Sequence, residues 1–173
     1  YHADRFLDCS LMIYREGRLY ALLPANRVGA TICSHQGLTY GGLITNTTAT
    51  AVGVCEAFLE INKFLYTHGI RRVLYKCIPW IYHKIPAEEY LYALFHVCRA
   101  HLKYRYIASA VDQTNPVKWR RDRRHGVKSS LKENLIIERK SEKLSLFWNI
   151  LTENLQEVHH AKPVHSLEEM TLL

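Results

Sequence analysis

The sequence contains no long hydrophobic run and no closely spaced pair of cysteines. No apolar stretch approaches the roughly 18 residues of a membrane-spanning helix, and no charged-then-apolar leader is present. The five cysteines are single and widely separated, which argues against a disulfide framework or a zinc knot: Cys9, Cys33, Cys55, Cys77 and Cys98. We therefore expect a cytoplasmic protein without a membrane span, with reduced and mostly buried thiols.

Several motifs of catalysis and cofactor binding are also missing. The chain has no GxGxxG fingerprint, no Walker loop and no GxSxG nucleophile turn. Three histidines lie close together, but no cysteine or carboxylate completes a ligand set at zinc spacing, and Pro163 interrupts helical spacing between them: His159, His160 and His165. We expect no metal cofactor.

The composition that is present is typical of a folded protein. The 173 residues are 48% hydrophobic and 23% charged, enough for a core in one domain or two small ones. Twenty-three Lys and Arg residues stand against 16 Asp and Glu, a formal charge of +7. This excess favours the encounter of an anionic ligand, such as a nucleotide, a nucleic acid or a phosphorylated cofactor.

The first half of the chain alternates between strand and helix patterns. Ser10–Tyr14 and Leu19–Leu23 predict a hairpin, and a third strand near Gly29–Ser34 would extend this meander. Apolar spacing predicts a helix from Ala51 to Tyr66, capped by one of the threonines at 45, 47, 48 and 50 and ended by Gly69. Then come a strand and a second helix, at Ile70–Ile78 and Pro86–Leu102.

The second half repeats the alternation. Tyr104–Val111 and Leu135–Glu138 are the expected strands, and a basic helix runs from Asn115 toward Asn134, with Gly126 expected to weaken its continuity. Ser141 would cap a helix with an apolar face, and Ser166–Glu169 has the form of a capping box. The fold class predicted is mixed α/β, of the α+β type.

Residues Ser34–Leu43, here called the glycine loop, are the most unusual segment. Gly37, Gly41 and Gly42 follow a strand and precede a helix, so bare backbone N–H groups and the helix N-terminus are available to an anion such as a phosphate. A plain tight turn is equally compatible with this spacing. In the same loop, only His35 and Tyr40 have side chains suited to proton transfer, although a histidine beside a turn often has a purely structural role.

A strongly basic segment lies between residues 118 and 132. It holds one acid, Asp122, and one tryptophan, Trp119, among seven cations: Lys118, Arg120, Arg121, Arg123, Arg124, Lys128 and Lys132. Such a segment could hold the phosphates of a cofactor or of RNA. The alternative is a solvated helix face that serves solubility.

Taken together, four segments resemble a family of bacterial GNAT-like proteins, acyl-CoA N-acyltransferase superfamily members related to the FemAB group: Tyr1–Phe6, Ser34–Leu43, Lys76–His83 and Pro163–Glu169. The resemblance implies a mixed sheet flanked by helices, in a double-GNAT architecture. Residues 1–100 would form a first lobe, and residues 101–173 would begin a second, incomplete lobe. The chain opens without a methionine and stops inside an apparent helix at Leu173, so we expect a piece of a longer protein.

The resemblance also implies a reaction. An acyl group would pass from acetyl-CoA or another acyl-CoA to the amine of a small molecule or amino sugar, with envelope or polysaccharide synthesis as the expected setting. His35 would be the base and Tyr40 the acid, while Gly37, Gly41, Gly42 and Thr45 would bind the cofactor. Two alternatives stay open: a FemAB-type transferase that uses aminoacyl-tRNA, and a non-catalytic binding protein on the same scaffold, suggested by the shortage of carboxylates near the loop.

Overall fold

The computed structural model describes residues 4–137, 139 and 142–172, in two units, Tyr1–Ala110 and Val111–Leu173. The chain is mixed α/β, with a mixed parallel and antiparallel sheet. Expectations that involve Tyr1, His2, Ala3, Glu138, Ser141 or Leu173 lie outside the described residues.

The predicted hairpin is confirmed. Strands β2 (Leu11–Arg15) and β3 (Arg18–Leu23) pair antiparallel, after a short β1 (Leu7–Asp8). Glu16 and Gly17 form the two-residue turn, both at positive φ (51° and 74°), which matches the twist of the flanking strands. A two-residue strand, β6 (Ile44–Thr45), occupies the second edge of β3.

The expected third strand exists as β5 (Thr31–Cys33), but it does not extend the hairpin. It pairs antiparallel with β4 (Asn26–Val28), which the sequence pattern had not indicated, and parallel with β7 (Arg72–Leu74). The order of this second sheet is β1-β4-β5-β7. Because β6 pairs with the second edge of β3, that edge is not open to β5, which pairs with β4 and β7 instead.

Helix α1 (Ala51–Thr67) forms as predicted, and Thr50 is the threonine that caps it. Its side chain accepts the Gly53 N–H at 3.2 Å, and Gly69 closes the other end with φ of 78°. The buried face packs into the main core, which also takes Leu23 and Ile32 from the sheets. Each such buried side chain contributes about 1.5–3 kcal/mol relative to an exposed one.

The later elements of the first unit are shorter than predicted. Strand β7 ends at Leu74 rather than Ile78, and α2 (Glu89–His96) ends before Leu102, with Arg99 left-handed at φ of 52°. Residues 104–111 form no strand. Ile107 is 98% exposed there, so no neighbouring strand supplies the ladder that this segment would need.

The second unit contains α3 (Arg121–Lys132), α4 (Leu144–His159) and α5 (Leu167–Leu172). The basic helix is shorter than predicted and runs through Gly126 without a break. Residues 135–137 form no strand. The capping box is confirmed: the Ser166 N–H donates to Glu169 Oε2 at 2.9 Å, and the Glu169 N–H donates to Ser166 Oγ at 3.2 Å. None of the described residues from 111 onward is buried.

Candidate functional site

The glycine loop leaves the carboxyl end of a parallel strand pair. Cys33 is in register with Leu74, and the Ser34 N–H donates to the Leu74 carbonyl at 3.0 Å. The chain then passes through β6 and α1 before it returns in β7. Ligands of open α/β sheets bind in crevices outside the carboxyl ends of such strands, so this position is a candidate binding site.

The backbone ladder between the two strands stops at Ser34. A parallel ladder would continue with the Lys76 N–H donating to the Ser34 carbonyl. That N–H instead donates to Ser34 Oγ at 2.7 Å, and Ser34 is completely buried. The Ser34 carbonyl faces Gly41, where an added Cβ would lie 1.7 Å from the carbonyl oxygen. The loop therefore folds back onto its own first residue.

Gly41 and Gly42 are required by this packing. Gly42 has φ of 112°, and a Cβ there would lie 2.7 Å from Tyr75 Oη. Both glycines are buried, and the N–H of the next residue, Leu43, donates to Tyr75 Oη at 2.6 Å. Protein atoms thus enclose this end of the loop. The predicted contacts of Gly41 and Gly42 with a cofactor stay a prediction.

Tyr75 was missed by the sequence analysis. Its ring lies 6.0 Å from that of Phe58 on α1 and 6.2 Å from that of Tyr90 on α2, so it joins the loop to both helices. Burial raises the pKa of the Tyr75 phenol and raises that of Tyr90 to about 12. Both rings are therefore neutral hydrogen-bonding groups near pH 7. No local sequence signal distinguishes Tyr75 from the ten other tyrosines.

The start of the loop is anchored by a buried amide side chain. Asn26 Oδ1 accepts the Gln36 N–H at 2.7 Å, and Asn26 Nδ2 donates to Gln36 Oε1 at 2.8 Å. Asn26 is completely buried in β4, so these bonds satisfy polar atoms that water cannot reach. This pair fixes where the loop begins its turn.

The loop was expected to leave backbone N–H groups available to an anion, but several of its amides are used in hydrogen bonds within the protein. The N–H groups of Gly37 and Leu38 donate to His35, at Nδ1 (3.1 Å) and at the carbonyl (3.1 Å). Within the described part of the chain, the amides of Thr39 and Tyr40 have no hydrogen-bond partner. Residues 38–40 are also exposed, and we call them the loop tip. The tip is the part of the loop that a ligand can reach.

The structure places His35 and Tyr40 on the same loop. Because His35 Nδ1 accepts the Gly37 N–H, the neutral ring carries its proton on Nε2. Its ring centroid also lies 5.5 Å from that of Phe6, in a T-shaped arrangement. The Tyr40 ring is 39% exposed and lies 5.6 Å from that of Tyr82. Their roles as base and acid stay predictions.

Thr45, the fourth predicted cofactor contact, lies in β6. It is exposed and in register with Ala21 of β3. It follows the enclosed glycines and is separated from the loop tip by four residues. Its contact with a cofactor is likewise untested by this geometry.

The surroundings of the loop tip carry positive charge. No Asp or Glu occurs in residues 17–55 or 61–87, which span the loop and the strand pair. Lys76, two residues after β7, reaches the tip and donates from Nζ to the Leu38 carbonyl. None of the ion pairs among the described residues involves Lys76. An anion would meet no carboxylate along these segments.

Helix α3 is a second positively charged surface, in the other unit. All its residues are exposed, and none of the ion pairs among the described residues involves its cations. These cations are Arg121, Arg123, Arg124, Lys128 and Lys132. Trp119, Val127 and Leu131 line one shallow depression beside it. Charged and apolar side chains are thus presented on one short helix.

The described residues contain no group of three or more His, Cys, Asp or Glu side chains that could hold a metal ion. Of the three neighbouring histidines, His165 contacts Glu169 at 3.2 Å. All five cysteines are unpaired, but only Cys33 is buried, so the expectation of mostly buried thiols was wrong. Burial raises the pKa of the Cys98 thiol, which disfavours a reactive thiolate. The described helices include none with both the length and the apolar character needed to cross a membrane.

Comparison with known proteins finds no matching family model, no matching curated protein and no matching solved structure. The function is therefore inferred from the residues and their geometry.

Proposed function

We propose that the protein is an N-acyltransferase of the GNAT-like superfamily, which transfers an acyl group from acyl-CoA to an amine. The observation that carries the proposal is the exposed, carboxylate-free loop tip at the carboxyl end of the parallel β5–β7 pair. Such a position suits a phosphate-bearing donor, and free amides beside a cation suit its negative charge. The resemblance of the loop and of residues 76–83 to GNAT-like proteins supports the same function.

The reaction requires an amine nucleophile and a thioester. The amine nitrogen attacks the thioester carbonyl, the new C–N bond forms, the C–S bond breaks and CoA leaves as its thiol. Orientation of the two reactants and hydrogen bonds to the carbonyl oxygen supply most of the acceleration. In this proposal Gly37 and Thr45 contact the donor, while Gly41 and Gly42 shape its site through their packing against Ser34 and Tyr75.

His35 takes the proton from the amine, and Tyr40 protonates the departing thiolate. The Gly37 N–H occupies His35 Nδ1, so the ring accepts a proton only after that bond opens. Donor binding at the loop tip, next to Gly37, is the step that we expect to open it. The acceptor is a small-molecule amine or amino sugar of envelope or polysaccharide synthesis, and the reaction is cytoplasmic, where acyl-CoA is made and unpaired cysteines persist.

The experiment is a thiol-release assay with acetyl-CoA and a panel of amines and amino sugars. The wild-type chain should release thiol with at least one amine, and His35→Ala should lower turnover by roughly 10²–10⁴-fold. His68→Ala is the matched control, since His68 contacts Phe64 at the far end of α1. CoA binding without thiol release from any amine would contradict catalysis and favour the non-catalytic binding protein.

A second candidate is a FemAB-type transferase that takes its acyl group from aminoacyl-tRNA. The observation that favours it is the exposed positive charge of α3, whose cations take part in none of the ion pairs among the described residues. Binding of tRNA should then weaken steeply with salt, and each phosphate-contacting cation replaced by Gln should reduce the log–log slope by about 1. Arg124→Gln with Lys128→Gln tests this surface. A slope unchanged by the pair of substitutions would exclude α3 as the tRNA contact.

A further inference from the structure

Lys76 is the cation that the structure brings to the glycine loop. Its Nζ donates to the carbonyl of Leu38, 38 residues away in the sequence, so the ammonium group lies against the loop tip. The side chain is partly exposed. Nothing in the sequence pattern of residues 70–78, expected to be one continuous strand, indicated this contact.

The backbone of Lys76 is held in place. Its N–H donates to Ser34 Oγ at 2.7 Å, and the N–H of Ser34 donates to Leu74 at 3.0 Å. Ser34 is completely buried. The backbone of Lys76 is thus fixed at the end of the parallel β5–β7 pair. Its ammonium group lies at the loop tip, which follows β5 in the chain.

Among the described residues, no carboxylate forms an ion pair with Lys76. An ammonium group has three N–H donors, and the Leu38 carbonyl takes one of them. Residues 61–87 contain no Asp or Glu. In the same loop tip, the amide of Tyr40 has no hydrogen-bond partner in the described ranges.

We propose that Lys76, together with the amide of Tyr40, binds a phosphate group of the ligand held at the loop tip. A charge-assisted N–H···O bond from a lysine and a hydrogen bond from a backbone amide match the acceptor oxygens of a phosphate. The inference rests on the proposed function in one respect: acyl-CoA is the ligand that brings the phosphate. It assigns the anion contact to the exposed tip rather than to the enclosed Gly41 and Gly42.

The test is calorimetric titration of the full chain with CoA, with 3′,5′-ADP and with pantetheine, which lacks phosphate. Lys76→Met should weaken binding of CoA and of 3′,5′-ADP by about 10- to 100-fold and leave pantetheine unchanged. Lys76→Arg should retain binding within about threefold of wild type, because the positive charge and donors remain. Lys63→Met is the matched control: it removes the same charge from an exposed ion pair with Glu60 on α1.

The outcomes separate this inference from the proposed function. Unchanged CoA and 3′,5′-ADP binding in Lys76→Met would overturn it, even with acyl transfer intact. The inference would also be overturned if Lys63→Met weakened CoA binding as much as Lys76→Met does, or if Lys76→Met weakened pantetheine binding as much as CoA binding. A wild-type chain that binds neither CoA nor 3′,5′-ADP would overturn it as well. Selective loss of 3′,5′-ADP binding in Lys76→Met, with no thiol release from any amine, would support the phosphate site and reject the acyltransferase. Circular dichroism of each variant should match the wild type.

Discussion

Leu43 donates its backbone N–H to the hydroxyl of Tyr75 at 2.6 Å, across 32 residues of sequence. The bond attaches the end of the glycine loop to the segment that follows β7. It also places Gly42 directly against the phenol, where a side chain would collide. The loop conformation therefore depends on a residue that belongs to another part of the chain.

Replacing Tyr75 by Phe should destabilise the first unit. The substitution keeps the ring contacts with Phe58 and Tyr90 but leaves the N–H of Leu43, a residue 7% exposed, without its acceptor. An unsatisfied buried donor costs about 1–3 kcal/mol. Urea unfolding followed by circular dichroism measures the loss, and Tyr66→Phe, at an exposed position on α1, is the control that should not move the midpoint. Equal midpoints for Tyr75→Phe and wild type would show that the bond is not needed.

Two Gly→Ala substitutions should have opposite effects. At Gly41 the new Cβ would overlap the Ser34 carbonyl, so the loop must move at a cost of about 1–3 kcal/mol or more. At Gly126, inside α3, the added Cβ meets nothing within 4 Å, and helix propensity predicts a gain of up to about 1 kcal/mol. Thermal unfolding of both variants checks this contrast. A Gly41→Ala variant as stable as the wild type would contradict the packing described for the loop.

The N-cap of α1 should account for a measurable part of the stability. Thr50→Ala removes the side-chain acceptor of the Gly53 N–H and should cost about 0.5–2 kcal/mol. Thr47→Ala, in the same threonine-rich run but before the cap, is the matched control. The difference in the urea midpoint between the two variants is the quantity to measure. Similar losses in both would mean that the threonines act together rather than through one cap.

Alkaline pH should destabilise the first unit through Tyr90. Burial raises its pKa from 10.0 to about 12, so the unfolded chain loses this proton at lower pH than the folded chain. The stabilisation is therefore complete below pH 10 and is lost as pH rises toward about 12. Urea midpoints measured across this range should fall less steeply in Tyr90→Phe than in Tyr66→Phe. Parallel curves for the two variants would show that Tyr90 is not the group responsible.

Features predicted correctly from the sequence depend on bonds between near neighbours. The hairpin turn, a threonine cap for α1, the Gly69 helix end and the Ser166–Glu169 capping box each involve residues no more than a few positions apart. Which of the four threonines caps α1 was shown only by the structure. Side-chain type alone identifies such bonds, because the partners are close in every conformation of the chain. The mixed α/β class followed from the same local patterns.

Predictions failed where an element needed a distant partner. Residues 104–111 have strand-like composition, but the described residues include no strand beside them. The three residues of β4 have no periodic pattern, and they form a strand because their backbone pairs with β1 and β5. The glycine loop was recognised as unusual, but its spacing did not show which end is open. Gly41 and Gly42 turned inward because the Ser34 carbonyl and the Tyr75 phenol lie against them.

By itself, the amino-acid sequence determined the excess of positive charge, the absence of Asp and Glu from residues 17–55 and 61–87, and the local stops and starts of the helices. Only the tertiary structure decided that Lys76 meets Leu38, that Tyr75 holds Leu43, and that the tip at residues 38–40 is exposed. The physical reason is that these contacts join residues more than 30 positions apart. In the folded protein, the parallel pairing of β5 with β7 holds the two chain segments side by side, and no pattern in the local sequence specifies this pairing.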